Sequence, residues 1–208
     1  GGVLKRIDYS LIKASPGLVP LLTQTASNTA TINFNSTYIT STYKTFVAVW
    51  DSVQPTSDGA QIRMYISRDN GSTLDDGISL TYTSIIDSTS TGTYVSIASD
   101  EGSNYGYATA TGIGDQAGES AGGTAWCHNF TDTTCYSLIN VVASQWNESR
   151  ALSRTTGIFG SRQTAAYNYL RFSMSTGNID VGVIKLYVSH KSEYCSALFI
   201  HCYLLKLS

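Results

Sequence analysis

The chain is 208 residues long, carries a net charge of −2, and only 13% of its residues are Asp, Glu, Lys or Arg. That length suits one large β-domain or two small ones. With no basic block it lacks the means to track nucleic-acid phosphates, and no apolar run reaches the roughly 18 residues of a membrane span, so neither nucleic acid nor membrane is expected as a partner.

Ser and Thr together make up about a quarter of the chain, Tyr contributes 14 residues and Pro only 3. β-Branched and aromatic side chains suit a pleated surface, so this composition favours strands. The start, "GGVLKRIDYS", lacks an apolar signal-peptide core, and we read residues 1–28 as an N-terminal arm.

Strand signals then dominate. "TATINFNSTY" (29–38) alternates, with Ile32 and Phe34 on one face. "YKTFVAVWDSV" (43–53) is a longer apolar run suited to a strand buried on both faces, which makes Trp50 a core residue. "AQIRMYISRD" (60–69) sets Ile62, Met64 and Ile66 against Arg63, Tyr65 and Ser67, a period of two. "ISLTYTSII" (78–86), "TYVSIAS" (93–99), "LINVVASQW" (138–146), "YLRFSMST" (169–176) and "VGVIKLYVSH" (181–190) continue the series. Turn signals separate them: Pro55 to Asp58, Asn70-Gly71, and Gly177-Asn178. Short strands divided by polar turns argue an antiparallel β-sandwich of jelly-roll type over residues 29–190.

The stretch "ISRDNGSTLDDG" (66–77) gathers acids and invites a calcium or catalytic reading. Calcium loops of the known pattern need oxygens at alternating positions, closed by an acid. That series is absent. Asn70-Gly71 is instead the preferred pair of a type I′ turn, so we expect a hairpin there.

Residues 100–124 are dense in Gly and read as a long excursion. Its Tyr105 and Tyr107, with Trp126 just beyond, form a candidate sugar-stacking set. Asp100, Glu101, Asp115 and Glu119 offer carboxylates, but Gly-rich loops are poor supports for a catalytic pair, and we read them as solvated. "GIGDQAG" lacks the Lys-Ser/Thr of a phosphate loop. The three histidines, His128, His190 and His201, have no nucleophile elbow beside them. The four cysteines, Cys127, Cys135, Cys195 and Cys202, match no zinc spacing and are read as reduced structural thiols. No metal, cofactor or enzymatic activity is expected.

Residues 191–208 form an apolar extension, "CSALFIHCYLLKL" at its heart. Left bare it would be an exposed apolar patch, so Leu198, Phe199, Ile200, Tyr203, Leu204 and Leu205 are expected at an interface, in a homo-oligomer such as a trimer or on a shell subunit.

Several of these stretches together resemble a pattern in tailed-bacteriophage virion proteins. In "STYKTFVAVWDSVQPTSDGAQIRMYISRDNGST" a Tyr-led apolar strand is followed by a turn, Val53 to Asp58 around Pro55, then by an alternating strand and Asp69 to Thr73. "YNYLRFSMSTGNIDVGVIKLYVSH" resembles the closing hairpin of the same proteins through Leu170-Arg171-Phe172, Ser175, Gly177-Asn178-Ile179, Gly182 and Leu186-Tyr187, with Val188 where Gly is usual. The resemblance covers about residues 29–190 and implies a non-enzymatic jelly-roll component of a virion, whether head decoration, head fibre or tail. Its partners would be other capsid or tail subunits. A host surface glycan is the alternative partner. The shared residues are turns and strand cores, and Gly182 is expected at a bulge or a close backbone approach.

Overall fold

The computed structural model describes residues 17–87 and 93–189. They form β1 (Leu18–Thr29), β2 (Thr31–Phe34), β3 (Phe46–Pro55), β4 (Ile62–Ser67), β5 (Ile78–Asp87) and β6 (Thr93–Ser103). Then come β7 (Gly106–Tyr107), β8 (Ala121–His128), β9 (Ser137–Trp146), β10 (Leu152–Ser161), β11 (Tyr169–Met174) and β12 (Ile179–Ser189). No helix among the described residues is long and apolar enough to cross a membrane. The fold is all-β.

The strands make two antiparallel sheets. One has eight strands in the order β1-β12-β3-β8-β9-β10-β5-β6, and the other has four in the order β2-β11-β4-β7. Alternation dictates the shared core. Ile62, Met64 and Ile66 of β4 and Phe172 of β11 share one buried cluster with Trp50 of β3, whose ring centre lies 6.1 Å from that of Phe172. Phe34 packs edge-on against Phe172 at 6.3 Å, and Phe46, Phe130 and Tyr167 close one end. Trp50 is a core residue, as its apolar run implied. Two antiparallel sheets around one core are compatible with a β-sandwich.

From β1 to β5, and again from β10 to β12, successive strands alternate between the sheets, and this corrects two expected hairpins. Strands β4 and β5 lie in different sheets, so residues 68–77 are a crossing between layers. The turn itself is there: Asn70 and Gly71 both have positive φ, 61° and 88°. Strands β11 and β12 likewise belong to different sheets, so Gly177-Asn178 turns the chain from one layer to the other. Gly182 lies at a register shift of β12 on β3, between Val181 and Val183, at φ +123°, with the place of a Cβ only 2.6 Å from Val53 Cα. Both the bulge and the close approach are present.

The supposed arm also needs correction. Residues 18–29 are β1, paired with β12 from Leu18↔Ser189 to Thr29↔Ile179. Pro20 stands beside a register shift on this edge strand, where a missing N–H costs no ladder bond. Strand β8 takes up the end of the Gly-rich excursion, and β10 lies where the sequence carries no strand signal. In β10, Gly157 leaves room for the Tyr82 ring, which would lie 2.0 Å from a Cβ there. In β8, Gly123 does the same for Trp50, at 2.5 Å.

Candidate functional site

The acids of residues 66–77 are used to build the crossing. Ser67 Oγ donates to Asp69 Oδ1 at 2.6 Å and Thr73 N donates to it at 2.8 Å. These donors hold the Asp69 carboxyl down to about 2. Asp75 is buried, accepting from Tyr167 Oη at 2.6 Å and from Gly77 N at 3.0 Å, with Arg68 Nε 3.8 Å away. Burial, and then the hydrogen bond to Asp75, push the Tyr167 hydroxyl well above the usual phenol range. Asn70 Oδ1 accepts from Ser36 N, and Asn70 N donates to Asn168 Oδ1, each at 2.9 Å. The crossing is thus tied to the chain before β11 and after β2.

The sugar-stacking set is not brought together. Trp126 is on β8, between buried Ala125 and Cys127, and points out of the eight-stranded sheet. It is 38% exposed and stacks on His128 with an interplanar angle of 14°. Tyr107 is on β7, the edge of the four-stranded sheet, opposite Arg63. Tyr105 lies 5.3 Å from Tyr107 and 5.9 Å from Tyr65, ring to ring, and the Arg63 guanidinium sits 4.2 Å over the Tyr105 ring. Burial, with the Tyr105 hydroxyl 3.4 Å away, pushes Tyr107 up to about 12. A stacking surface at Tyr105 therefore has Tyr65, Tyr107 and Arg63 as neighbours, and Trp126 belongs to the other sheet.

The excursion itself is bound to the fold. Ala108 N donates to Ile62 O at 2.9 Å, Ala110 N to Thr155 Oγ1 at 3.0 Å, and Ile113 bridges Ala60. It brings Asp115 and Glu119 to Asp58, with carboxylate oxygens of all three within 4.8 Å of one another. Among the described residues these are the acids placed to share a cation. Internal partners already engage two of them: Glu119, which is buried and not solvated as expected, accepts from Gln116 N and pairs with Arg150 at 3.4 Å, and Asp115 accepts from Gln116 Nε2.

Cys127 is buried and unpaired, and burial pushes its thiol up to about 12. Cys135 is exposed and also free. Cys195, Cys202 and the expected interface residues Leu198 to Leu205 lie outside the described residues.

Comparison of the chain with family models, curated proteins and solved structures gives no match.

Sequence reasoning missed one feature. On the outer face of β8, β9 and β10, Trp126, Leu138, Val142, Trp146, Leu152 and Ile158 are all substantially exposed. Asn140 pairs across to Trp126 on one side and Ile158 on the other, while Leu138 and Val142 flank it along β9. Beside it, Thr81, Val142, Thr156 and Ile158 rim a shallow depression of about 410 Å³. The signal was in "LINVVASQW", where Leu138-Ile139 and Val141-Val142 put apolar groups on both faces. Such runs mark a strand covered on both sides.

Proposed function

We propose that this chain is a non-enzymatic structural protein of a bacteriophage particle, a capsid-decorating, fibre or tail component that works in assembly and surface presentation. The observation that carries this reading is the strand order. The order β1-β12-β3-β8 in one sheet and β2-β11-β4-β7 in the other supports a jelly-roll reading. The pair β5, β6 and the pair β9, β10 then extend one edge of the first sheet. Jelly rolls of this kind serve viral capsids and lectins. The two sequence motifs that resemble phage proteins also meet in space: Thr56 of the first bonds Asn178 of the second.

Its partners are capsid or tail subunits, including copies of itself. The low charge and plentiful Tyr suit adhesive contacts with little electrostatic steering. The apolar segment Leu198 to Leu205 contributes to such contacts in the particle. Immunogold microscopy of purified phage with antiserum to residues 29–190 tests the reading. Label over the head assigns a decoration or fibre role, label at the tail tip a tail role, and unlabelled particles overturn it.

A second reading is favoured by the Arg63, Tyr65, Tyr105 and Tyr107 group, which offers aromatic rings and a guanidinium on one sheet edge. This is the chemistry of a host-glycan module. Binding on a glycan array that is lost on Tyr105→Ala and retained on Trp126→Ala supports it.

A further inference from the structure

We infer that the outer face of β8, β9 and β10 is the docking surface for this chain's own C-terminal segment, Tyr194 to Leu205, which covers it in the free protein. This holds whether or not the protein belongs to a particle.

The face calls for a cover. Trp126, Leu138, Val142 and Ile158 surround Asn140 on strands that are hydrogen-bonded on both sides, so only side-chain packing can occupy it. Each of the four is between 38% and 47% exposed. The outward positions of these strands carry a single charged side chain, Arg154, two rows from Ile158. Monomeric proteins rarely leave contiguous apolar surface of more than a few hundred Å² uncovered.

The chain supplies a matching segment at the right place. Strand β12 ends at Ser189, whose N donates to Thr45 O at 3.2 Å. That sets Ser189 in the row of Thr45, His128 and Leu138, one residue beyond the row Val188, Phe46, Cys127 and Ile139. From β12 the face begins two strands away at β8 and three away at β9. At about 4.8 Å per strand spacing this is roughly 10–14 Å. The polar spacer His190-Lys191-Ser192-Glu193 has four residues. Extended, it spans about 13 Å. The apolar segment starts immediately after it, and no Asp, Glu, Lys or Arg occurs from Tyr194 to Leu205. An uncharged apolar segment therefore meets an apolar face within reach of its own tether. A tether this short gives an effective concentration in the millimolar range, so the chain's own face outcompetes that of a second copy at ordinary protein concentrations.

The segment carries its own reporters, Cys195 and Cys202. In the full-length chain with Cys135→Ser, a further cysteine is placed on the face, Val142→Cys or, separately, Ile158→Cys. A control places it on the outer side of the other sheet, Ser173→Cys. A short bis-maleimide is added and the products are read by mass spectrometry. We expect links from position 142 or 158 to Cys195 or Cys202 within one chain. They should exceed those of the Ser173→Cys control by about tenfold and keep the same yield on dilution. Links between chains that fade on dilution would make a second copy the occupant and overturn the inference. So would equal linking from the control, or no linking from either face position in chains whose circular dichroism matches the parent. Antiserum labelling of particles is unaffected by any of these results, so the two readings fail separately.

Discussion

Thr56 and Asn178 exchange two hydrogen bonds across 122 residues of sequence: Thr56 N donates to Asn178 O at 2.9 Å, and Asn178 N donates to Thr56 Oγ1 at 2.8 Å. Asn178 Nδ2 also reaches Asn28 Oδ1 at 2.8 Å. The turn that follows β3 and the turn that precedes β12 are thus one structure, and β1 is fastened to it. Thr56→Val removes the acceptor for one backbone N–H at a site with some solvent access. A loss of about 1 kcal/mol is expected from urea unfolding. Asn178→Ala removes the bond to Asn28 and should cost a similar amount. Because both act on one joint, the double variant should lose less than the sum, by about 0.5 kcal/mol or more. Strict additivity would show that the turns are independent.

Gly157 faces Tyr82 so closely that a Cβ would stand 2.0 Å from its ring, and Tyr82 is fully buried. Gly157→Ala should therefore destabilise by about 1–3 kcal/mol, as overpacking does. In an exposed strand position the same change would be neutral or favourable, since Ala costs less backbone entropy than Gly. A chemical-denaturation midpoint that rises in Gly157→Ala would contradict the packing described for this pair.

The same glycines explain what the sequence concealed. Strands β2, β3, β4, β5, β9, β11 and β12 announced themselves through alternation or apolar runs, and their large side chains supply much of the core. Strands β8 and β10 did not, because Gly123 and Gly157 stand where the pattern asks for a side chain. The missing bulk is supplied by Trp50 and Tyr82 from neighbouring strands. No local pattern encodes that exchange. The turn at Asn70-Gly71 was legible for the reverse reason, since its backbone demands are local. Which strand followed it was not, because the choice of sheet is made by distant partners such as Tyr167 with Asp75. Trp126 and Tyr105 were grouped for nearness in sequence. The strand order separates them, with β7 on an edge of one sheet and β8 inside the other.

The Asp69 clamp gives a pH dependence with a defined sign. Its ordinary value is 3.8 and its folded value is about 2, lowered first by Ser67 and then by Thr73. A carboxylate with a depressed folded value stabilises the fold above its ordinary value, and that contribution is lost as pH falls through the folded value. The Thr73 amide, which bonds Asp69 Oδ1, should keep its nuclear magnetic resonance position down to pH 4 and titrate with a midpoint near 2. Asp69→Asn should abolish that titration. A midpoint at 3.8 in the parent protein would mean that the clamp does not hold in solution.

Gly182 combines two demands that can be separated by experiment. Its φ of +123° is one that L side chains rarely adopt, and its missing Cβ makes room for Val53 Cα at 2.6 Å and Ser52 O at 2.9 Å. Both neighbours include backbone atoms of β3, so neither can swing aside as a side chain would. Gly118 provides the comparison. It has φ +90° and nothing within 4 Å of a Cβ. Gly118→Ala should therefore cost only the backbone strain, about 1 kcal/mol. Gly182→Ala adds the collision and should cost about 3 kcal/mol or more, read as a lower melting temperature. Equal costs at the two positions would show that β12 can move away from β3, and that the register shifts there are a soft joint and not a fixed bulge.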